Sequence, residues 1–244
     1  MKTLTTLAQT YIDRFDAALD TLPGKGDRNI TALRKSGLEK FQTADFPHKK
    51  IEDWRFTNLS EFSKGIANDT PNQAADFQSV SFESAIEIVF VDGFFSTVLS
   101  KMDHLPDGLT VTSFADELGN GAVLSLDDNE TRSLVALNTA FMQDGFCIHV
   151  AEEVAIETPL VIRFKNTAGN TGRHLRNRII LSENAKLTVL EIHEGSGRYF
   201  SNPLTTIALS ESAELNHYKL QKESIDAYHL ALTEAEILQN AKYN

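Results

Sequence analysis

One short phrase occurs three times between Gly145 and Gln221, and it constrains the fold more than anything else in the chain. The copies are Val150-Ala-Glu-Glu-Val-Ala-Ile156, Leu181-Ser-Glu-Asn-Ala-Lys-Leu187 and Leu209-Ser-Glu-Ser-Ala-Glu-Leu215. The last two match at Leu-Ser-Glu-x-Ala-x-Leu, 28 residues apart (209 − 181), and the first, a looser copy, lies 31 upstream (181 − 150). Self-similarity at such a period marks a repeat architecture, in which each unit buries its apolar face on its neighbours. Around the copies the apolar residues alternate. Phe146, Ile148 and Val150 take one face of a strand, and Cys147 and His149 the other. Leu190 and Ile192 share a face opposite Glu191 and His193. One period on, Tyr218 and Leu220 repeat the apolar positions, and Lys219 stands where Glu191 stood. Period 2 means strand, and apolar residues that return in phase predict strands stacked in register. We therefore expect a parallel β-helix with one coil per repeat and the polar phrase as its turn. An antiparallel meander also alternates, but it gives no reason for the turn to return at nearly fixed spacing. On this register Glu191, His193, His217 and Lys219 face outward. Glu191 and Lys219 then form an ordinary cross-strand ion pair worth about 0–1 kcal/mol.

The chain has 244 residues, 41% hydrophobic and 23% charged, which suits a globular protein with a substantial core. A net charge of −11 and a pI near 5.1 argue against nucleic acid or an anionic membrane surface as the main partner. Arg173, Arg176 and Arg178 nevertheless form a small basic patch in the sequence. A lone cysteine, Cys147, allows no disulfide within the chain and fits a reducing cytoplasm. The first residues carry no continuous apolar region, so no signal peptide is expected. No apolar run approaches the roughly 18 residues of a membrane span.

Residues 1–65 read as a helical domain. Leu4, Leu7, Tyr11, Phe15 and Leu19 recur at helical spacing. Pro23 and Gly24 break that helix, and a second, from about Asn29 and capped by Asp27 or Asn29, completes a helical hairpin. Residues 66–144 read as a linker and a mixed α/β cap. The stretch 66–81 is polar; 85–91 is a strand; Asp92-Gly93 is a hairpin turn with its partner strand at 94–100. A short strand at 109–112, a short helix at 113–118 and a helix at 130–142 follow. Residues 145–244 read as the first coils of the β-helix. No helix or charged segment closes the last coil, so the sequence is expected to be the front part of a longer protein.

The standard catalytic patterns are missing. There is no glycine-rich phosphate loop, no Gly-x-Ser-x-Gly elbow and no His-Glu-x-x-His. We assign no catalytic, cofactor-binding or metal-binding residue. Cys147 and His149 offer two metal ligands, too few for a site, and His193 and His217 are further candidates of the same weak kind. The densest cluster of unusual residues is Phe46–Asn58, which holds the only tryptophan. In the preferred reading it is structural. Trp54 and Phe56 pack on the hairpin, and Glu52 and Arg55 bond locally. The competing reading is a ligand site of His48, Glu52, Trp54 and Arg55.

Pro47-His-Lys-Lys-Ile-Glu-Asp-Trp-Arg-Phe-Thr-Asn58 resembles the N-terminal signature of the SufB/SufD family of SUF iron–sulfur cluster assembly proteins, its SufD branch in particular. The run Arg176-Asn-Arg-Ile-Ile-Leu-Ser-Glu-Asn-Ala-Lys-Leu-Thr-Val-Leu-Glu191 resembles the same family, and the two stretches come in the family's order. The resemblance implies a mainly β fold with an α-helical N-terminal part, a helical hairpin leading into a right-handed parallel β-helix. It implies a non-catalytic scaffold subunit, cytoplasmic, acting with SufB-like and SufC-like subunits, the latter an ATPase, to build and pass on iron–sulfur clusters. The cluster belongs to the complex; one thiol cannot hold it. Pro47, Glu52, Trp54, Arg55 and Thr57 are signature residues with structural roles. The family's cluster-assembly and SufC-docking positions lie beyond Asn244, and Cys147 and His149 do not match them. Two alternatives use the same fold: a free-standing binding or oligomerisation module, and a carbohydrate-active β-helix enzyme. The second lacks the column of carboxylates it would need.

Overall fold

The computed structural model describes residues 4–57, 59–62, 86–120, 132–167 and 172–244. The helices are α1 (Thr6–Leu19), α2 (Arg28–Ala44), α3 (Phe114–Gly119) and α4 (Ser133–Phe141), with a short 3-10 turn at Glu52–Trp54. The strands preceding the repeats are β1 (Ile86–Val91), β2 (Phe94–Phe95) and β3 (Leu109–Ser113). The first coil is β4 (Phe146–Val150), β5 (Leu160–Asn166) and β6 (Gly172–Arg173); the second is β7 (Arg176–Leu181), β8 (Lys186–Gly195) and β9 (Phe200–Ser201). The third is β10 (Leu204–Leu209), β11 (Glu214–Lys222) and β12 (Tyr228–His229), followed by β13 (Leu232–Ile237) and β14 (Lys242–Tyr243).

These strands stack into a parallel β-solenoid of about three turns with three faces: β4-β7-β10-β13, β5-β8-β11-β14 and β6-β9-β12. The register step is the sequence period. Leu204 lies opposite Arg176 and Leu232 opposite Leu204, and Glu214 lies opposite Lys186, each 28 residues on. The repeated phrase makes the corner between the first two faces. Each copy places one residue in the left-handed region: Glu153, Asn184 and Ser212, at φ 61°, 57° and 58°. The amide of each donates to a carbonyl in the next coil, on Glu183, Glu211 and Gln239, at 2.9, 3.0 and 2.9 Å. The corner thus recurs because it is itself a rung of the ladder. A fourth copy, Ile237-Leu-Gln-Asn-Ala-Lys-Tyr243, follows the third at the same 28-residue step, with Asn240 at φ 59°.

The looser first copy has a physical cause. The step is 31 between β4 and β7 (Cys147 opposite Arg178) and 29 between β5 and β8 (Leu160 opposite Val189). Residues Glu157 to Pro159 absorb the difference. At the head of the solenoid, β1 pairs in parallel with β5, and β3 pairs antiparallel with β4. Both cover edges that would otherwise invite pairing with another chain. Asp92 and Gly93, at φ 50° and 86°, turn β1 into β2, as a two-residue hairpin requires.

Asp27 caps α2 by accepting from the Asn29 and Ile30 amides, and Thr5 caps α1. The helices α1, α2 and α4 share a core rich in rings, among them Tyr11, Phe41, Phe46 and Phe141. Gly37 of α2 presses on α4; a Cβ there would lie 2.8 Å from the Ala136 carbonyl oxygen. Phe46 and Phe62 carry the core onto the third face, where the Phe62 and Phe200 ring centroids are 4.8 Å apart. Cys147 is not on an open face. Phe114 and Leu118 of α3, with Ile30 and Met142, cover it. The polar stretch 66–81, expected as a linker, lies outside the described residues. Among the described residues no helix is long and apolar enough to cross a membrane.

Candidate functional site

The inner face of β8 reads Leu187, Val189, Glu191, His193. The first two belong to the apolar core of the solenoid. The register then carries the same face onward, with Ile162 beside Glu191 and Phe164 beside His193. Both polar residues are buried, at 0% exposure. This reverses the expected register, in which Glu191, His193, His217 and Lys219 faced outward. Leu190 and Ile192 take the opposite face instead, where Ile192 is still buried at 2% exposure while their successors Tyr218 and Leu220 are exposed. The interior therefore changes from apolar to polar along the second face, and the change occurs in the second and third coils.

Glu191 is the hub. Its carboxylate lies 3.0 Å from His193 Nε2, 3.0 Å from His217 Nε2 and 3.4 Å from Lys219 Nζ. Burial opposes its charge, but the two imidazoles and the ammonium outweigh that and hold its pKa well below the usual carboxylate range. The Glu191–Lys219 contact is thus part of a buried network and not an ordinary surface pair. Burial pushes His193 down, against the pull of Glu191. His217 Nδ1 lies 3.0 Å from the Tyr243 hydroxyl. A second carboxylate, Glu223, accepts from the buried Tyr199 hydroxyl at 2.9 Å and lies 2.9 Å from His229 Nδ1. Burial opposes the charge of Glu223 as well, yet His229, Gln221 and Tyr199 bring its pKa to about 2. His193 stacks on Phe164 (centroids 4.6 Å apart) and meets His229 edge to face, also at 4.6 Å. Glu223 and His229 escaped sequence reading because neither sits in the repeated phrase. The signal for Glu191 and His193 was present: they keep the parity of Leu187 and Val189.

The signature residues lie elsewhere. Pro47 is buried, Trp54 is half-buried against the helical core, and Thr57 is exposed. Glu52 and Arg55 form an exposed ion pair at 2.6 Å. Phe56 does not pack on the hairpin; it is 88% exposed, with the Arg55 guanidinium 4.6 Å from its ring centroid. His48 is exposed, and its Nδ1 accepts from the Lys50 amide at 3.2 Å. Pro47 and Trp54 instead line a cleft of about 430 Å³ whose far wall includes Leu134 and His229. The expected metal pair also separates in environment. Burial and the neighbouring Glu117 push the Cys147 thiol far up, which leaves it inert, while His149 is exposed and bonds Ser182 at 3.0 Å. Nor do the three arginines make a basic patch. Arg173 pairs with Asp92 at 2.6 Å, Arg176 reaches Asn138 and Thr139, and Arg178 lies 3.8 Å from Glu117.

Two family models match the chain in tandem. The SufBD protein N-terminal region covers residues 5–162, and the SufBD core domain of the SUF system for FeS cluster assembly covers 164–244. An iron-sulfur cluster assembly SufBD family protein of Synechocystis sp. is 27% identical in an alignment 253 positions long that covers 92% of this chain and 55% of that protein. The chloroplastic protein ABCI7 of Arabidopsis thaliana is 24% identical in an alignment 223 positions long that covers 84% of this chain and 46% of that protein. The chain spans about half the length of these curated relatives. With one model on the helices and solenoid head and the other on the coils that carry the polar interior, the chain belongs to the SufBD family of SUF-system iron–sulfur cluster assembly proteins.

Proposed function

We propose that this chain acts as a SufD-like scaffold subunit of an iron–sulfur cluster assembly complex, in the cytoplasm, with a SufB-like subunit and a SufC-like ATPase as partners. It catalyses nothing by itself, and the cluster forms at the level of the complex. The observation that carries this reading is the tandem match of the family's N-terminal and core regions along this one chain. The coils support it physically. A solenoid is quasi-one-dimensional, so its surface is long relative to its core and suits partner binding. The acidic balance of the chain suits protein partners better than nucleic acid. Co-expression of the full chain with SufB-like and SufC-like proteins from the same source, followed by size-exclusion with light scattering, tests the proposal. The expected result is one co-eluting complex of fixed stoichiometry. Elution of the chain apart from both partners would rule out the scaffold role.

A further inference from the structure

We propose that His193, Glu223 and His229 form a binding site for a borderline divalent cation of the Zn²⁺ or Fe²⁺ class. One ligand atom from each lies within 4.8 Å of the other two. His193 comes from β8, Glu223 from the bend after β11, and His229 from β12, so the site joins two coils. Two imidazoles and one carboxylate are the donor set of open zinc and non-haem iron(II) sites. Ligands about 2.1 Å from one metal stand roughly 3–3.5 Å apart, so side-chain rotations moving atoms by about an ångström close the set.

The state of the His193 ring is an independent observation that points to a ligand. The side chain is wholly buried, and its Nε2 lies 3.0 Å from the Glu191 carboxylate. A carboxylate only accepts, so Nε2 carries the proton and Nδ1 holds a lone pair. That Nδ1 has no hydrogen-bond partner among the described residues. Leaving such a group unmet inside a protein costs about 1–3 kcal/mol. A carboxylate on one ring nitrogen and a metal on the other is how ligating histidines are oriented. His229 tells the same story. Both of its ring nitrogens are buried without an aligned hydrogen bond, although Nδ1 sits 2.9 Å from Glu223.

The neighbours fit a cation. Two carboxylates border the cluster: Glu191, which Lys219 approaches at 3.4 Å, and Glu223, 2.9 Å from His229. Phe164 holds the His193 ring by stacking, and the Tyr199 hydroxyl holds Glu223. His229 also lines the cleft that Trp54 borders. The site stands whether or not the chain takes part in cluster assembly.

Titration of the metal-stripped full chain with Co²⁺ at neutral pH, read by ligand-field absorption and competed with Zn²⁺, tests the site. The expected result is one saturable Co²⁺ per chain, displaced by Zn²⁺. His193→Gln, Glu223→Gln and His229→Gln should each weaken binding by at least about tenfold, since even second-shell changes do so. His149→Gln, which removes an exposed imidazole of the same solenoid, should leave it unchanged. If circular dichroism shows that His193→Gln unfolds, the half-buried Glu223→Gln and His229→Gln variants decide. No saturable band, or a band that survives both of those substitutions, overturns the proposal.

Discussion

Replacing Glu191 with leucine removes the hub of the polar interior while keeping most of its volume. The loss follows from the geometry. His193 Nε2, 3.0 Å away in a wholly buried ring, keeps a proton with nothing to accept it. His217 Nε2 loses its partner at 3.0 Å. Each orphaned buried group costs about 1–3 kcal/mol. Lys219 is different, since its side chain is 26% exposed and can turn to water at little cost. Breaking a buried charge network by removing one member costs about 3–5 kcal/mol in general, and the two orphaned rings bring this case to that range. For a chain of this size that corresponds to a melting temperature lower by roughly 6–20 °C. Urea denaturation in the presence of a chelator measures it, as a fall in midpoint at unchanged slope. Lys219→Met should cost less than about 1 kcal/mol in the same assay. A Glu191→Leu loss below about 1 kcal/mol would refute the buried network and return Glu191 to the outer face.

Two further outcomes test the helical side. His174 is buried between the Tyr11 hydroxyl (3.2 Å) and the Asn202 amide (3.2 Å), and burial, with Arg173 beside it, lowers its pKa from 6.5 to about 3. The unfolded chain takes up that proton below about pH 6.5 and the folded one does not. Stability should therefore be full above that pH and fall by up to about 1.4 kcal/mol per unit down to about pH 3. Urea midpoints across that range, flattened in His174→Asn, check it. Gly37→Ala should destabilise by about 1–3 kcal/mol because the new Cβ meets the Ala136 carbonyl at 2.8 Å and the Ala140 amide at 2.9 Å. Thermal unfolding gives the sign, which is opposite to the usual gain of a helical glycine-to-alanine change.

The repeat was legible because its corner is a backbone requirement. A residue held near φ 60° recurs after 31, 28 and 28 positions, and Asn, which fills two of the four corners, tolerates that region better than most. The fourth corner escaped notice because only Asn240-Ala-Lys repeats the second copy, while Tyr243 replaces the closing leucine. The register was misread where hydropathy and position disagree. Leu190 and Ile192 look like core, and Glu191 and His193 look like surface, yet the parity of Leu187 and Val189 decides. Charged residues go inside when they satisfy one another, and alternation of polarity alone does not show that. The head of the solenoid was beyond local reading for another reason. Ile86 pairs with Leu160, 74 residues later (160 − 86), and no short-range pattern encodes such a partner. Glu223 and His229 were hidden likewise, since only the winding of the third coil brings them to His193.

Cluster delivery to an apo-ferredoxin by purified SufB-like and SufC-like proteins, measured with and without the full chain, tests the scaffold role most directly. Adding the chain should raise the rate of holo-ferredoxin formation and saturate at a fixed ratio to the SufB-like subunit, while the chain alone delivers nothing. The same rate with and without it, at concentrations where all three proteins are folded, would contradict a scaffold role in cluster assembly.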